Sequence, residues 1–384
     1  MKFDEDLIAR VCNNDDELTE LDLKYCRISA EGAGRLAEAL QDNASLTSLG
    51  LHGNSVGAEG AGCLAEALKD NATLTTLDLS RNEIGPEGAG HLKEALKDNT
   101  TLTTLNLGGN NIGAEGARHL AEALKDNTTL TALDLGNNII NAAGVVCLVE
   151  ALKDNVTLTT LKVAYNRNNA GGVGRLAEVL RDNTTVTTLD LRGSNIGDEG
   201  AGRLAEALKD NTTLTTLYIG ENSIANEGAQ CLSEALVVNA TLTTLDLQAS
   251  SIGDEGAGRL AEALKDNATL TSLNLQSNCI RRKGIGYLVE ALKGNTTLIA
   301  LKLAQGRGNF GKLIPQCDSL LARNKALIWE RRLEERWQLI AIMAQIRRLH
   351  TQMDVNDVPQ ALPVLQPLTT QWARGPLRHI ISFL

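Results

Sequence analysis

The sequence predicts an α/β solenoid: short parallel strands on a concave side, helices on a convex side, and a helical tail at the C-terminal end. Three observations lead there. First, about three quarters of the 384-residue chain repeats every 28 residues without insertion or deletion. Leu18, Leu46, Leu74, Leu102, Leu130, Leu158, Val186, Leu214, Leu242, Leu270 and Leu298 open successive repeats. Second, each repeat places apolar residues at positions 1, 4 and 6, as in Leu74, Leu77 and Leu79, which suits a strand with one buried face. Third, each continues into a stretch of small and apolar residues at helical spacing, such as 200–211. A fixed period of this length means stacked units sharing one continuous core.

The elements follow in order. Residues 1–17 form an N-terminal helical cap, with Leu7, Ile8 and Val11 as its apolar stripe. Residues 18–308 hold eleven repeats. Within each, alternation turns positions 2, 3, 5 and 7 outward. Position 9 is Asn54, Asn82, Asn110, Asn138, Asn166, Asn222 and Asn278, and buried asparagines here would form a hydrogen-bonded ladder. Position 12 is Gly57, Gly85, Gly113, Gly197 and Gly253, suited to a turn that needs permissive dihedrals. An Asp-Asn pair closes most of the helices through local side-chain bonds. Residues 309–384 form a helical cap and tail. Residues 314–324 resemble a last repeat helix, and 326–350 read as a long amphipathic helix with Trp329, Leu333, Trp337, Ile340 and Met343 or Ile346 in register. Pro359, Pro363 and Pro367 break the chain beyond it.

The frame L-x-x-L-x-L-x-x-N-x-I resembles the 28-residue, ribonuclease-inhibitor-like class of leucine-rich repeats. That resemblance implies a horseshoe-shaped scaffold that binds proteins through an extended surface. The core must come from aliphatic residues, because aromatics are only 3% of the chain. The net charge of −10 is uneven: residues 309–384 carry ten Lys or Arg against six Asp or Glu, so residues 1–308 carry −14. An acidic solenoid argues against nucleic-acid binding and for a protein partner with a basic surface. Seven cysteines stand too far apart in the repeat for pairing: Cys63, Cys147 and Cys231 share one helix position three repeats apart, roughly 25–30 Å. Reduced thiols, no apolar leader at the N-terminus and no apolar run of membrane length give the expectation of a cytosolic place of action and a monomer.

No phosphate loop, zinc-ligand spacing or nucleophile elbow occurs, so neither enzyme chemistry nor a cofactor or metal is expected. His52 stands alone at an outward position, and His91 and His119 share one helix column. The informative positions are exceptions to the repeat. Position 5 is Asp22, Asp78, Asp134, Asp190 and Asp246 in the odd repeats up to the ninth, an alternation that either separates like charges on neighbouring strands or builds a binding column. Lys162 falls between Asp134 and Asp190. Repeat 6 then breaks several rules together: Tyr165 and Arg167 appear, Asn168 replaces the usual Ile at position 11, and Asn169 replaces the turn glycine. Arg192, Tyr218 and Glu221 follow in repeats 7 and 8. Tyr and Arg are enriched at interface hot spots, so the candidate partner-binding set is Asp134, Lys162, Tyr165, Arg167, Asp190, Arg192, Tyr218, Glu221 and Asp246. Drift within the repeat is the competing reading. Val237-Val238 forms a second, smaller exception on the helix side.

The C-terminal residues Pro376, Leu377, Ile380, Ile381, Phe383 and Leu384 resemble the opening of an F-box helix, which implies an adaptor for ubiquitin-ligase machinery. Near-identical repeats rich in Asp-Asn-Thr-Thr, joined to such a tail, look like leucine-rich-repeat effectors that intracellular Gram-negative bacteria deliver into host cells. The repeat period also resembles GTPase activators of the leucine-rich-repeat kind, with Arg81 or Arg167 in the turns as their candidates. Finally, a polar Asn168 and a missing turn glycine predict the weakest packing at 164–174, and Asn168→Ile is expected to raise the unfolding midpoint.

Overall fold

A computed structural model of the protein describes residues 5–303 and 312–352. The chain divides into two compact units, Met1–Asn324 and Lys325–Leu384. The proline segment and the F-box-like end lie outside the described residues, as do the side chains of Trp337, Ile340, Met343 and Ile346.

The first unit opens with α1 (Glu5–Cys12), which buries Leu7 and Val11 and begins the core. Eleven three-residue strands follow, from β1 (Glu20–Asp22) to β11 (Ala300–Lys302). They form one open parallel sheet in strict sequence order. Each pairs with residues 28 positions on, as Thr76↔Thr104 and Leu77↔Leu105 show. The strands alternate with helices α2 (Ala30–Gln41) to α11 (Arg282–Gly294). The expected alternation holds: Leu74, Leu77, Leu79 and Ile84 are buried, together with their equivalents in neighbouring repeats. A fully buried leucine contributes roughly 1.5–3 kcal/mol, so stacking repeats is what makes each one stable.

Two side-chain ladders tie the repeats together. At position 9, Asn138 Oδ1 accepts from the amides of Asn110 and Ile112, and its Nδ2 donates to the carbonyls of Leu107 and Leu135. The second ladder comes from the Asn of the closing pair. Asn99 Nδ2 donates to Leu68 O in the previous repeat, while its Oδ1 accepts locally from Thr101 N and Leu102 N. The local half follows the sequence expectation; the cross-repeat half is visible only in the structure. Arg323 ends this ladder 28 residues after Asn295, its guanidinium donating to the carbonyls of Leu292 and Asn295. Arg323 belongs to the first turns of α12 (Leu313–Gln352), where Cys317 and Leu321 close the core. The sequence divides this region into a repeat helix and a separate amphipathic helix. The structure makes one continuous helix of 40 residues. In the second unit that helix leaves Trp329 65% exposed.

The turns depart from expectation in two ways. Gly57, Gly85, Gly113 and Gly197 adopt positive φ, but Gly253 is extended at φ −96°. A carboxamide from the preceding repeat decides this. Asn226 Oδ1 accepts from Gly253 N and Gly256 N, capping the next helix and pulling its entry residue straight. Asp198 and Asp254 do the same for the helices that start near Asn226 and Arg282. At Asn169 the missing glycine is no defect. It holds φ +52°, a conformation asparagine tolerates, and its Oδ1 accepts from Gly172 N to cap α7 (Asn169–Asp182).

Asn168 is also more than a lost isoleucine. It is fully buried, and its Nδ2 donates to Val163 O and Ser194 Oγ at 3.0 Å each, while its Oδ1 has no partner. Val163 O, 31 residues before Ser194, is the carbonyl that an asparagine ladder residue at 194 would serve, by the spacing of Asn138 to Leu107. Position 9 of repeat 7 is Ser194, too short to reach. Asn168 supplies the missing amide from a neighbouring position.

Candidate functional site

The candidate residues lie on β5 (Ala132–Asp134) to β9 (Thr244–Asp246) and on the turns that follow those strands. The Asp column has a local structural task first. Asp22, Asp78, Asp134, Asp190 and Asp246 each accept, through Oδ1, the amide two residues on, at 2.8–3.1 Å. Asn106 and Asn274 make the same bond without a charge. Position 5 therefore closes the strand with an Asx turn, which explains why Asp and Asn recur there.

Cations cover three of these aspartates. Asp22 pairs with Lys24 at 2.8 Å, Asp134 with Lys162 at 3.4 Å and Asp190 with Arg192 at 2.6 Å. Lys162 thus sides with Asp134 rather than Asp190. Asp78 and Asp246 have hydrogen bonds but no ion pair among the described residues. The sheet face is accordingly closer to neutral than the sequence charge suggests. The acidity sits on the helical side, where the Glu of each Glu-Lys pair is matched, as in Glu66–Lys69 and Glu206–Lys209, and the closing Asp mostly is not.

Repeats 6 to 8 carry a fixed cluster. Asp190 is 2% exposed, and the Arg192 guanidinium grips its carboxylate with both Nε and Nη2, at 3.1 Å and 2.6 Å from Oδ2. This pairing holds Arg192 charged, its pKa raised far above the usual guanidinium value chiefly by the hydrogen bond to Asp190. Arg192 then lies over the Tyr218 ring, 5.4 Å from its centroid. Tyr165 reaches across two repeats, and its hydroxyl donates to Glu221 Oε1 at 2.9 Å. Burial, followed by the Glu221 bond, pushes the Tyr165 phenol upward. The ring spans the intervening repeat because position 8 there is Gly193, where an added Cβ would stand 2.3 Å from Tyr165 Cδ1. Of the nine candidates, Arg167 stays apart: it is exposed and enters no ion pair among the described residues. Asp246 borders the cluster beside Tyr218, its register partner.

Sequence reasoning missed a related arrangement at the other end of the sheet. His52 is not isolated. Tyr25 Oη is 2.8 Å from His52 Nε2, and His52 Nδ1 is 2.6 Å from Ser80 Oγ, which donates to Asp78. These roles are mutually consistent when His52 carries its proton on Nδ1. Tyr25 lies over Gly53 as Tyr165 lies over Gly193. The sequence signal is a tyrosine at position 8 followed 28 residues later by glycine. His91 and His119 pack instead against Gly62 and Gly90 of the preceding helices. Cys12, Cys63, Cys147, Cys231, Cys279 and Cys317 are free thiols. Among the described residues, no cluster of His, Cys, Asp or Glu could hold a metal ion, and no helix is long and apolar enough to cross a membrane.

Fold and repeat define this chain as a leucine-rich-repeat protein. The leucine-rich-repeat family model matches residues 18–37, 42–65, 70–92, 98–121, 126–149, 182–205 and 210–233. It passes over repeat 6, where the exceptions begin. A model of the TMOD/LMOD leucine-rich domain matches residues 230–328. Among solved structures, the chain is similar to the leucine-rich repeat-containing protein LegL7 from Legionella pneumophila, at 19% identity and TM-score 0.52, over 74% of this chain and 94% of that one. It also matches leiomodin-1 actin-binding site 2 at 26% identity and TM-score 0.40, over 42% of this chain and 95% of that one. The Caenorhabditis elegans tropomodulin C-terminal domain matches at 16% identity and TM-score 0.38, over 42% and 98%. No curated protein matches the sequence. Leucine-rich repeats of this kind are protein-interaction scaffolds.

Proposed function

We propose that the chain is a non-enzymatic effector-type protein that binds a host or bacterial partner protein through the sheet face and turns of repeats 6 to 8. The observation that carries this reading is the fixed cluster of Tyr165, Asp190, Arg192, Tyr218 and Glu221. Its aromatic and guanidinium groups have their orientations set by ion pairs and hydrogen bonds before any partner arrives, which lowers the ordering cost of binding. Glu221 and Asp246 lack cationic partners among the described residues, so the complementary surface is a basic one. The partner meets the protein in the cytosol, and the protein acts there as a monomer. The effector assignment rests on the sequence resemblance of the repeats and tail.

Affinity capture from host lysate tests the proposal, using the wild type and a variant with Tyr165→Ala, Arg192→Ala, Tyr218→Ala and Glu221→Ala, to which Asp190→Asn is added so that no unpaired carboxylate is left buried. The partner is expected to be lost from the variant. Identical capture by both proteins refutes the site.

A further inference from the structure

The start of α11 reverses the charge of the repeat. In five other repeats positions 12 to 14 read Gly-Ala-Glu at 57–59 and 113–115, Gly-Pro-Glu at 85–87, and Gly-Asp-Glu at 197–199 and 253–255, and no other repeat places a cation there. In repeat 10 they read Arg281, Arg282 and Lys283, all exposed. None of the three forms an ion pair among the described residues, although the next lysine of the same helix does, Lys293 with Glu290. The carboxylate in contact with this turn, Asp254, is engaged by backbone, accepting from Arg281 N and Gly284 N at 2.7 Å and 2.8 Å. One turn along, Tyr287 is 41% exposed, with Lys283 Nζ 5.8 Å from its ring centroid. Gly258 lets that ring lie against α10 (Asp254–Asp266).

This arrangement is locally unfavourable. Three like charges adjoin one another, and cations in a first turn oppose the helix dipole, whereas the Glu of every other triplet named above is favoured there. A chain of net charge −10 does not need this patch for solubility, and its overall field repels long polyanions such as nucleic acid. A short acidic segment of a protein satisfies both conditions. Its carboxylates neutralise the triad, and its apolar side chains find Tyr287.

We propose that Arg281, Arg282, Lys283 and Tyr287 form a second docking surface, separate from repeats 6 to 8, for an acidic peptide segment of a partner protein. The repeat itself supplies the test variant. Arg281→Gly, Arg282→Asp and Lys283→Glu together recreate the triplet of residues 253–255, so the variant is expected to fold with an equal or higher melting temperature. Fluorescence anisotropy measures binding of a fluorescein-labelled ten-residue glutamate peptide to the full chain. Wild type is expected to bind, more weakly as salt rises, and the triple variant to bind roughly tenfold or more weakly. A control with the same net-charge change on other helices, Lys69→Glu, Lys97→Glu and Lys125→Gln, is expected to bind like wild type. The proposal is overturned by absence of wild-type binding, by equal binding in the triple variant, or by an equal loss in the control. A ten-nucleotide single strand that binds more tightly than the peptide also overturns it and reassigns the surface to nucleic acid.

Discussion

Asn168 and Ser194 provide the sharpest test of how this array is held together. In isolation, Asn168→Ile gains the apolar burial of an isoleucine, roughly 1.5–3 kcal/mol, and removes an unpartnered buried oxygen. It also strips Val163 O and Ser194 Oγ of their donor, and a buried acceptor left without a partner costs about 1–3 kcal/mol. The terms nearly cancel, so the single change is expected to move stability by about 1 kcal/mol or less. Ser194→Asn alone places a second carboxamide against the same carbonyl and overpacks the turn, at a cost of about 1–3 kcal/mol. Together the two changes rebuild the regular ladder: Asn at 194 serves Val163 O, and Ile at 168 fills the core. The double variant is then expected to exceed the sum of the singles by roughly 2–3 kcal/mol, within the range seen for residues in direct contact. Urea unfolding of wild type, both singles and the double closes the cycle. Additivity within about 0.5 kcal/mol would falsify the claim that Asn168 stands in for the missing ladder residue.

Three further outcomes are expected. Gly193→Ala and Gly57→Ala both force alanine into positive φ, at about 1–2 kcal/mol, but only at Gly193 does the new Cβ meet a ring; a larger loss at Gly193, with altered Tyr165 fluorescence, is the check, and equal losses at the two sites would show that Tyr165 is free to move aside. Burial raises the Cys317 thiol to about 11, so at pH 8 in the native protein a thiol reagent should label the exposed Cys12, Cys63 and Cys279 and reach Cys317 only on unfolding, as read by mass spectrometry of peptides. Hydrogen bonds from Lys153 and then Arg175 hold Glu150 below its ordinary value of 4.5; a depressed carboxylate stabilises above that value and loses its contribution as pH falls through the folded value, so the melting temperature of Glu150→Gln should depend less on pH below about 4.5 than that of wild type, and parallel profiles would count against it.

The fold was legible because it is written many times over. Strand register, buried positions and the position-9 ladder follow from period and alternation, and Leu77 or Asn138 needs no tertiary information to be placed. What was not legible lies in contacts 26 to 31 residues apart that link different repeat positions. Nothing in the isolated sequence of repeat 6 says that Asn168 answers Ser194, or that Asn226 straightens Gly253. The Asp column was legible as a period, which left a structural and a binding reading side by side; the bond of each carboxylate to an amide two residues on appears only in the structure. Tyr165, Arg192, Tyr218 and Glu221 were recognised as exceptions, and the structure adds which of them touch. His52 was missed because its partners Tyr25 and Ser80 stand in different repeats.

Whether the mid-array cluster is built or drifted turns on how its exceptions relate to one another. Drift in a repeat leaves uncompensated gaps. Repeat 9 shows one: Ser250 also replaces a ladder asparagine, position 11 of the repeat before it remains Ile224, and among the described residues Ile219 O, the carbonyl 31 residues before Ser250, keeps only the side-chain donor of its own repeat, Asn222 Nδ2. Around repeats 6 to 8 the departures come in matched sets. Ser194 is answered by Asn168, the bulk of Tyr165 by the absence of a side chain at Gly193, and the buried charge of Asp190 by Arg192, whose guanidinium is in turn covered by Tyr218. An unpaired carboxylate buried as deeply as Asp190 would be strongly destabilising, so Asp190 and Arg192 persist only together. Replacing Arg192 by Ala without its partner should therefore cost more stability than the paired change Asp190→Asn with Arg192→Ala, since Asn at 190 keeps the Asx turn and sheds the charge. The two variants then separate stability from recognition. If the stable pair still loses partner binding, the cluster serves the interface. If binding survives it, repeats 6 to 8 are held together for the scaffold alone and the partner docks elsewhere on the array.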